Sequence, residues 1–140
     1  MTRKATAHWR GGLKDGRGDL STASGVLAGT AYSFHTRFEQ GQGTNPEELV
    51  AAAHAGCFSM ALAAQLGVEG LTPEEIATSA EVVMEKLDAG WTVTESRLTV
   101  HAVIPGADPA KFDAAAQRAK QGCPISKLLN AKISMDATLN

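Results

Sequence analysis

Asn45-Pro-Glu-Glu-Leu-Val-Ala-Ala-Ala-His-Ala-Gly-Cys-Phe-Ser-Met-Ala-Leu-Ala-Ala-Gln-Leu66 is the stretch around which the rest of the chain is arranged. It opens as a helix does. Asn45 can cap free backbone amides, Pro46 suits the first helical position, and Glu48 stands where a capping box wants a carboxylate. The residues beyond Glu48 are small and apolar with no polar stripe, and a helix apolar all round belongs in a core. At about 1.5 Å per residue it spans roughly 30 Å, the width of a small domain. A bilayer span would be a longer uncharged, Leu-rich run of about 20 residues. This one is Ala-rich and broken by His54, Gly56, Ser59 and Gln65, so it reads as a core helix and the chain as one without a membrane partner. Cys57, one of only two cysteines, sits in its middle.

With 140 residues the chain reads as a single domain, 1–140, large enough for a core without staples. A net charge of -2 and no basic run leave no electrostatic footprint for nucleic acid, and 5% aromatics are too few for base stacking. The N-terminal Met1-Thr-Arg-Lys-Ala-Thr-Ala-His-Trp9 has charge but no apolar run after it, so no secretory signal is expected and the cytoplasm is the default location. In a reducing compartment two cysteines mean buried thiols, a metal site or redox chemistry.

Outward from the central helix, residues 3–10 and 17–23 read as short strands around the Gly11-Gly12 … Asp15-Gly16 turn. A third strand is expected over Ala31–Phe38, where Tyr32, Phe34, Thr36 and Phe38 alternate with Ser33, His35 and Arg37. Thr72-Pro73-Glu74-Glu75 resembles a helix start, yet it leads into no helical stripe. Residues 77–88 and 91–104 read instead as a long antiparallel hairpin about the Asp88-Ala89-Gly90 turn, with Leu98, Val100, Ala102 and Ile104 alternating with polar partners. Asp108-Pro109 starts a helix to about Gln121, closed by Gly122. Cys123-Pro124 starts a short helix through Leu129, and residues 132–139 alternate as a last strand. Antiparallel strands interrupted by one buried helix and a later helical pair give an α+β fold, antiparallel sheets packed around a buried central helix.

A lone cysteine in an apolar helix is most often an inert small hydrophobe. Cys123 alters that reading, because a position at the start of the next helix favours a thiolate. Two cysteines in such unlike places suit a nucleophile and a resolving partner; two unrelated buried thiols are the plain alternative. Zinc competes weakly: His54 and Cys57 are three apart and Cys123 is a third donor, but there is no Cys-x-x-Cys pair and no evident fourth ligand. His54 then reads as a hydrogen-bonded histidine between packed surfaces. Arg37 is either an edge charge or a cation that lowers a thiol pKa. Glu47 and Glu48 already have a structural reason in the helix dipole.

Thr36-Arg-Phe-Glu39, Gly43-Thr-Asn-Pro-Glu-Glu-Leu49, Ala52-Ala-His-Ala-Gly-Cys-Phe-Ser-Met-Ala-Leu62 and Gly122-Cys-Pro124 together resemble the family of osmotically inducible protein C and organic hydroperoxide resistance protein (OsmC/Ohr), nearer its osmotically inducible branch. The resemblance runs over nearly the whole chain, including Ser21-Thr-Ala-Ser-Gly-Val-Leu27 and Asp88-Ala-Gly90. It implies a thiol-dependent peroxidase on an intertwined homodimer, preferring organic hydroperoxides to hydrogen peroxide, with no bound cofactor or metal. An external dithiol of the dihydrolipoyl type, or a lipoylated protein, is the implied reductant. The family's reactive cysteine falls on Cys57, its resolving cysteine on Cys123, its arginine on Arg37 and its glutamate on Glu47. In the other branch the arginine comes from elsewhere in the N-terminal region, which makes Lys14 or Arg17 the competitor.

Spacing adds a constraint of its own. Glu47 and Cys57 are ten residues apart on one helix, about 15 Å along its axis. A single site containing both needs a second copy of the chain, which the family's dimer supplies. The rival reading from another class is a non-catalytic dimer that binds small apolar ligands, with both cysteines inert.

Overall fold

A computed structural model describes residues 1–140. In chain order the elements are β1 (Ala5–Arg10), β2 (Arg17–Thr22), β3 (Thr30–Tyr32), α1 (Phe34–Phe38), α2 (Pro46–Val68), β4 (Glu75–Leu87), β5 (Gly90–Val103), α3 (Pro109–Gly122), α4 (Pro124–Leu128) and β6 (Lys132–Leu139). The chain forms two units, Met1–Leu49 and Val50–Asn140.

In the first unit β1, β2 and β3 make an antiparallel sheet in that order. Gly18 of β2 lies between Trp9 and Tyr32 in register, and the two rings meet across it with centroids 5.5 Å apart. A Cβ at position 18 would come within 2.3 Å of the Tyr32 ring and 2.8 Å of Trp9, so only glycine permits this aromatic contact.

The strand expected over Ala31–Phe38 stops at Tyr32, and α1 takes the rest. Ser33 caps it: the Ser33 hydroxyl accepts from the Thr36 amide at 3.3 Å, and the Thr36 hydroxyl accepts from the Ser33 amide at 2.8 Å. This is a capping box with threonine in the usual glutamate place. Phe34 and Phe38, read as one face of a strand, are also four apart, and on a helix their rings meet at a tilt with centroids 4.8 Å apart.

Asn45 caps α2 as expected, its side-chain oxygen accepting from the Glu48 amide at 2.8 Å. The Glu48 carboxylate does not close a capping box; it accepts from the Thr44 hydroxyl at 2.7 Å. The Asn45 amide nitrogen donates to the Thr36 carbonyl at 3.0 Å, fastening the helix start to α1.

The second unit is built on a three-stranded sheet ordered β4-β5-β6. β4 and β5 form the long antiparallel hairpin foreseen, with one bulge: Val83 faces Glu95 and Met84 faces Val93, leaving Thr94 as the extra residue. Leu98, Val100 and Ala102 of β5, with Ile104 just after it, form the core with Phe58, Leu62 and Leu66 of α2 and Phe112, Ala115, Ala116 and Ala119 of α3. Thr99 and His101 alternate onto the exposed face.

Two expectations change here. β6 pairs with β5 in parallel, so the sheet is mixed rather than antiparallel; the chain crosses through α3 and α4 between them, which is what parallel pairing requires. Thr72–Glu74, as its missing helical stripe indicated, is a connection into β4 and starts no helix. Within one chain α2 is not buried all round: His54, Phe58, Leu62 and Leu66 are buried at every fourth residue, while Met60 is 77% and Val68 76% exposed. By length and composition alone α2 could cross a bilayer, but that buried stripe packs on the sheet as a core helix does.

Candidate active site

The sulfurs of Cys57 and Cys123 lie 2.7 Å apart and are hydrogen-bonded. Both are free thiols. Cys57 occupies the middle of α2, partly exposed, and Cys123 is fully buried where α3 ends and α4 begins. Two features of the sequence put it there: Asp108-Pro109 starts α3, and Pro124, which cannot continue it, starts α4. A disulfide bond is about 2.05 Å long, so the sulfurs need close by well under 1 Å to join.

Burial pushes the Cys57 thiol pKa up, and its hydrogen bond with Cys123 pushes the same way; the Ile125 N–H, aimed at the Cys57 sulfur, works against both. The last contact is one that sequence reasoning missed. By sequence the start of α4 favours a thiolate at Cys123, whereas in the fold its Ile125 amide serves Cys57. A backbone donor carries no residue signature; the matching His54-x-x-Cys57 and Cys123-x-x-Ser126 spacings bear only on the side-chain pairs.

His54 is fully buried on α2. Its Nδ1 is 2.7 Å from the Ser96 hydroxyl of β5 and its Nε2 is 2.8 Å from the Ser126 hydroxyl of α4. Burial lowers its pKa. One ring nitrogen then donates and the other accepts, with each hydroxyl taking the complementary role. With both nitrogens engaged, His54 is the hydrogen-bonded core histidine foreseen, and it leaves no lone pair for a zinc ion.

Arg37 and Glu47 form a second pair. Arg37 lies on α1, not at a strand end as read from the sequence. Its Nη2 donates to Glu47 Oε1 at 2.8 Å, and its Nε lies 3.2 Å from both carboxylate oxygens. The Arg37 guanidinium also stands 5.3 Å from the centre of the Phe38 ring. This fork-to-carboxylate geometry fixes the plane of the guanidinium. Lys14 and Arg17, the competing basic residues, are exposed at the β1–β2 turn and the start of β2. The four expected site residues thus appear as two contacting pairs, one in each unit.

Comparison with known proteins matches a family model described as OsmC-like protein to residues 39–138. Peroxiredoxin OsmC of Escherichia coli K12 is 50% identical over 137 residues, covering 98% of this chain and 96% of that protein. The organic hydroperoxide resistance protein of Xanthomonas axonopodis pv. citri is 35% identical over 101 residues, 71% of this chain and 68% of that one. Among solved structures, the organic hydroperoxide resistance protein OhrB of Bacillus subtilis superposes with a TM-score of 0.74 at 25% identity, over 99% of this chain and 98% of that chain.

Proposed function

The chain belongs to the OsmC family, and on that premise we propose that it is a thiol-dependent peroxidase that reduces organic hydroperoxides. The observation that carries this reading is the 2.7 Å approach of the Cys57 and Cys123 sulfurs. The Cys57 thiolate attacks the distal peroxide oxygen; the O–O bond breaks, the alkoxide takes a proton and leaves as an alcohol, and Cys57 becomes a sulfenic acid. The Cys123 thiol condenses with it, releasing water and forming a disulfide. An external dithiol of the dihydrolipoyl class, free or on a lipoylated protein, returns two electrons and two protons by exchange. A cytoplasmic location suits such a cycle.

The thiolate needs help. Within one chain the surroundings of Cys57 raise its pKa, and a nearby cation is what lowers it. Arg37, oriented by Glu47, is our choice for that cation, supplied by a second copy. The ten-residue step along the helix from Glu47 to Cys57, about 15 Å of rise, supports the sharing. So does the exposed apolar side of α2, where Met60 and Val68 stand beside alanines and Gly56.

Complementation tests the reading. Arg37→Ala and Cys57→Ser should each lower tert-butyl hydroperoxide turnover by at least about 10²-fold, the usual cost of losing a transition-state contact. Co-expressed, the two inactive chains should recover about a quarter of wild-type activity, since half the dimers then hold one intact site of two. A mixture no more active than its parts contradicts the shared site; a fully active Cys57→Ser contradicts the peroxidase.

A further inference from the structure

We infer that His54 is a positioning residue for the cysteine pair: held on Ser96 of β5, its ring grips Ser126 and so seats α4 on α2, aligning the Cys123 sulfur with that of Cys57. Two bridges join α2 to the segment around α4. Cys57 meets Cys123 at 2.7 Å, and His54, three residues earlier, meets Ser126, three residues later, at 2.8 Å. The paired positions run in opposite senses, so the second bridge fixes the register of the first.

Nothing within α4 does this for it. Five residues are too few for a self-supporting helix. Leu128 is 73% exposed, and the one buried residue of α4 is Ser126. The polar cluster is complete: His54, Ser96 and Ser126 are all buried, and no buried side-chain nitrogen or oxygen lacks a partner. A buried hydrogen-bonded group nets little stability over an apolar one of its size, but it has direction, which an apolar contact lacks. Direction is what a sulfur pair close to bonding distance needs.

The catalytic meaning of this role rests on the two-cysteine reading above; the geometric role does not, and the test separates them. The pair is equilibrated with mixtures of reduced and oxidised glutathione. Cys57 attacks the glutathione disulfide and releases one thiol, and Cys123 displaces the second, so two electrons pass from the pair to glutathione. Ser126→Ala should lower the equilibrium constant for closing the ring about fivefold, the equivalent of one buried hydrogen bond, or about 20 mV for this two-electron couple. Ser126→Thr, which keeps the hydroxyl, should restore at least half of that loss. An Ala variant with the wild-type constant, or a Thr variant as impaired as Ala, overturns the inference. Peroxide is the second arm. A longer-lived sulfenic acid in Ser126→Ala at an unchanged rate of formation supports the role in catalysis, and equal lifetimes contradict it. A wild-type chain inert to peroxide but shifted in glutathione by Ser126→Ala overturns the proposed function and leaves the positioning role standing.

Discussion

At the scale of single residues, two groups have pKa values moved by burial, in opposite senses. The Cys57 thiol goes up and the His54 imidazole goes down, in each case toward the neutral form. For His54 this links stability to pH. The unfolded chain takes up a proton near the ordinary histidine value of 6.5, while the folded chain resists until lower pH. Between those values the unfolded state binds more protons, so stability rises with pH there and is lost as pH falls below about 6.5. Urea melts between about pH 7 and pH 5 should show this slope in the wild type and a flatter one in His54→Gln. Equal slopes would mean that His54 titrates normally in the fold. Cys57, Cys123 and His54 were legible from residue type and local spacing. The Ile125 amide was not, because a backbone donor carries no residue signature, and the partners of His54 lie 42 and 72 residues away.

At the scale of elements, polar patterning and punctuation named most of the strands and helices. The failures have particular causes. Alternation over Tyr32–Phe38 is satisfied equally by a strand and by the four-residue spacing of a helix, and the Ser33-x-x-Thr36 cap decided for α1. The alternation of Ile133, Met135, Ala137 and Leu139 marks a strand with one buried face but is the same for parallel and antiparallel neighbours, so the direction of β6 came only with the crossover through α3 and α4. The start of α2 carries a prediction. Asn45 both caps the helix and holds the Thr36 carbonyl. Asn45→Ala should cost about 1–2 kcal/mol, the upper part of the range for a lost N-cap. Asn45→Asp, which keeps the cap but not the donor, should fall between the two in chemical denaturation. An Ala variant as stable as wild type would show that neither bond holds α2 in place.

At the scale of the whole molecule, α2 explains why sequence and single chain disagree about burial. Its composition has no polar face, yet one chain covers only the stripe of His54, Phe58, Leu62 and Leu66. The reading that reconciles them gives the uncovered side to a second copy and has that copy deliver Arg37 and Glu47 to the cysteine pair. The proposed peroxidase chemistry rests on one pair of atoms, the Cys57 and Cys123 sulfurs. The most direct measurement is free-thiol titration with intact mass, before and after one equivalent of cumene hydroperoxide, on wild type and Cys123→Ser. The account predicts rapid loss of both thiols in the wild type, with a mass about two units lower for the disulfide, and in Cys123→Ser a gain of about sixteen units for a stalled sulfenic acid. Thiols that survive excess peroxide in the wild type would contradict it and turn the reading to an apolar-ligand-binding dimer with inert cysteines.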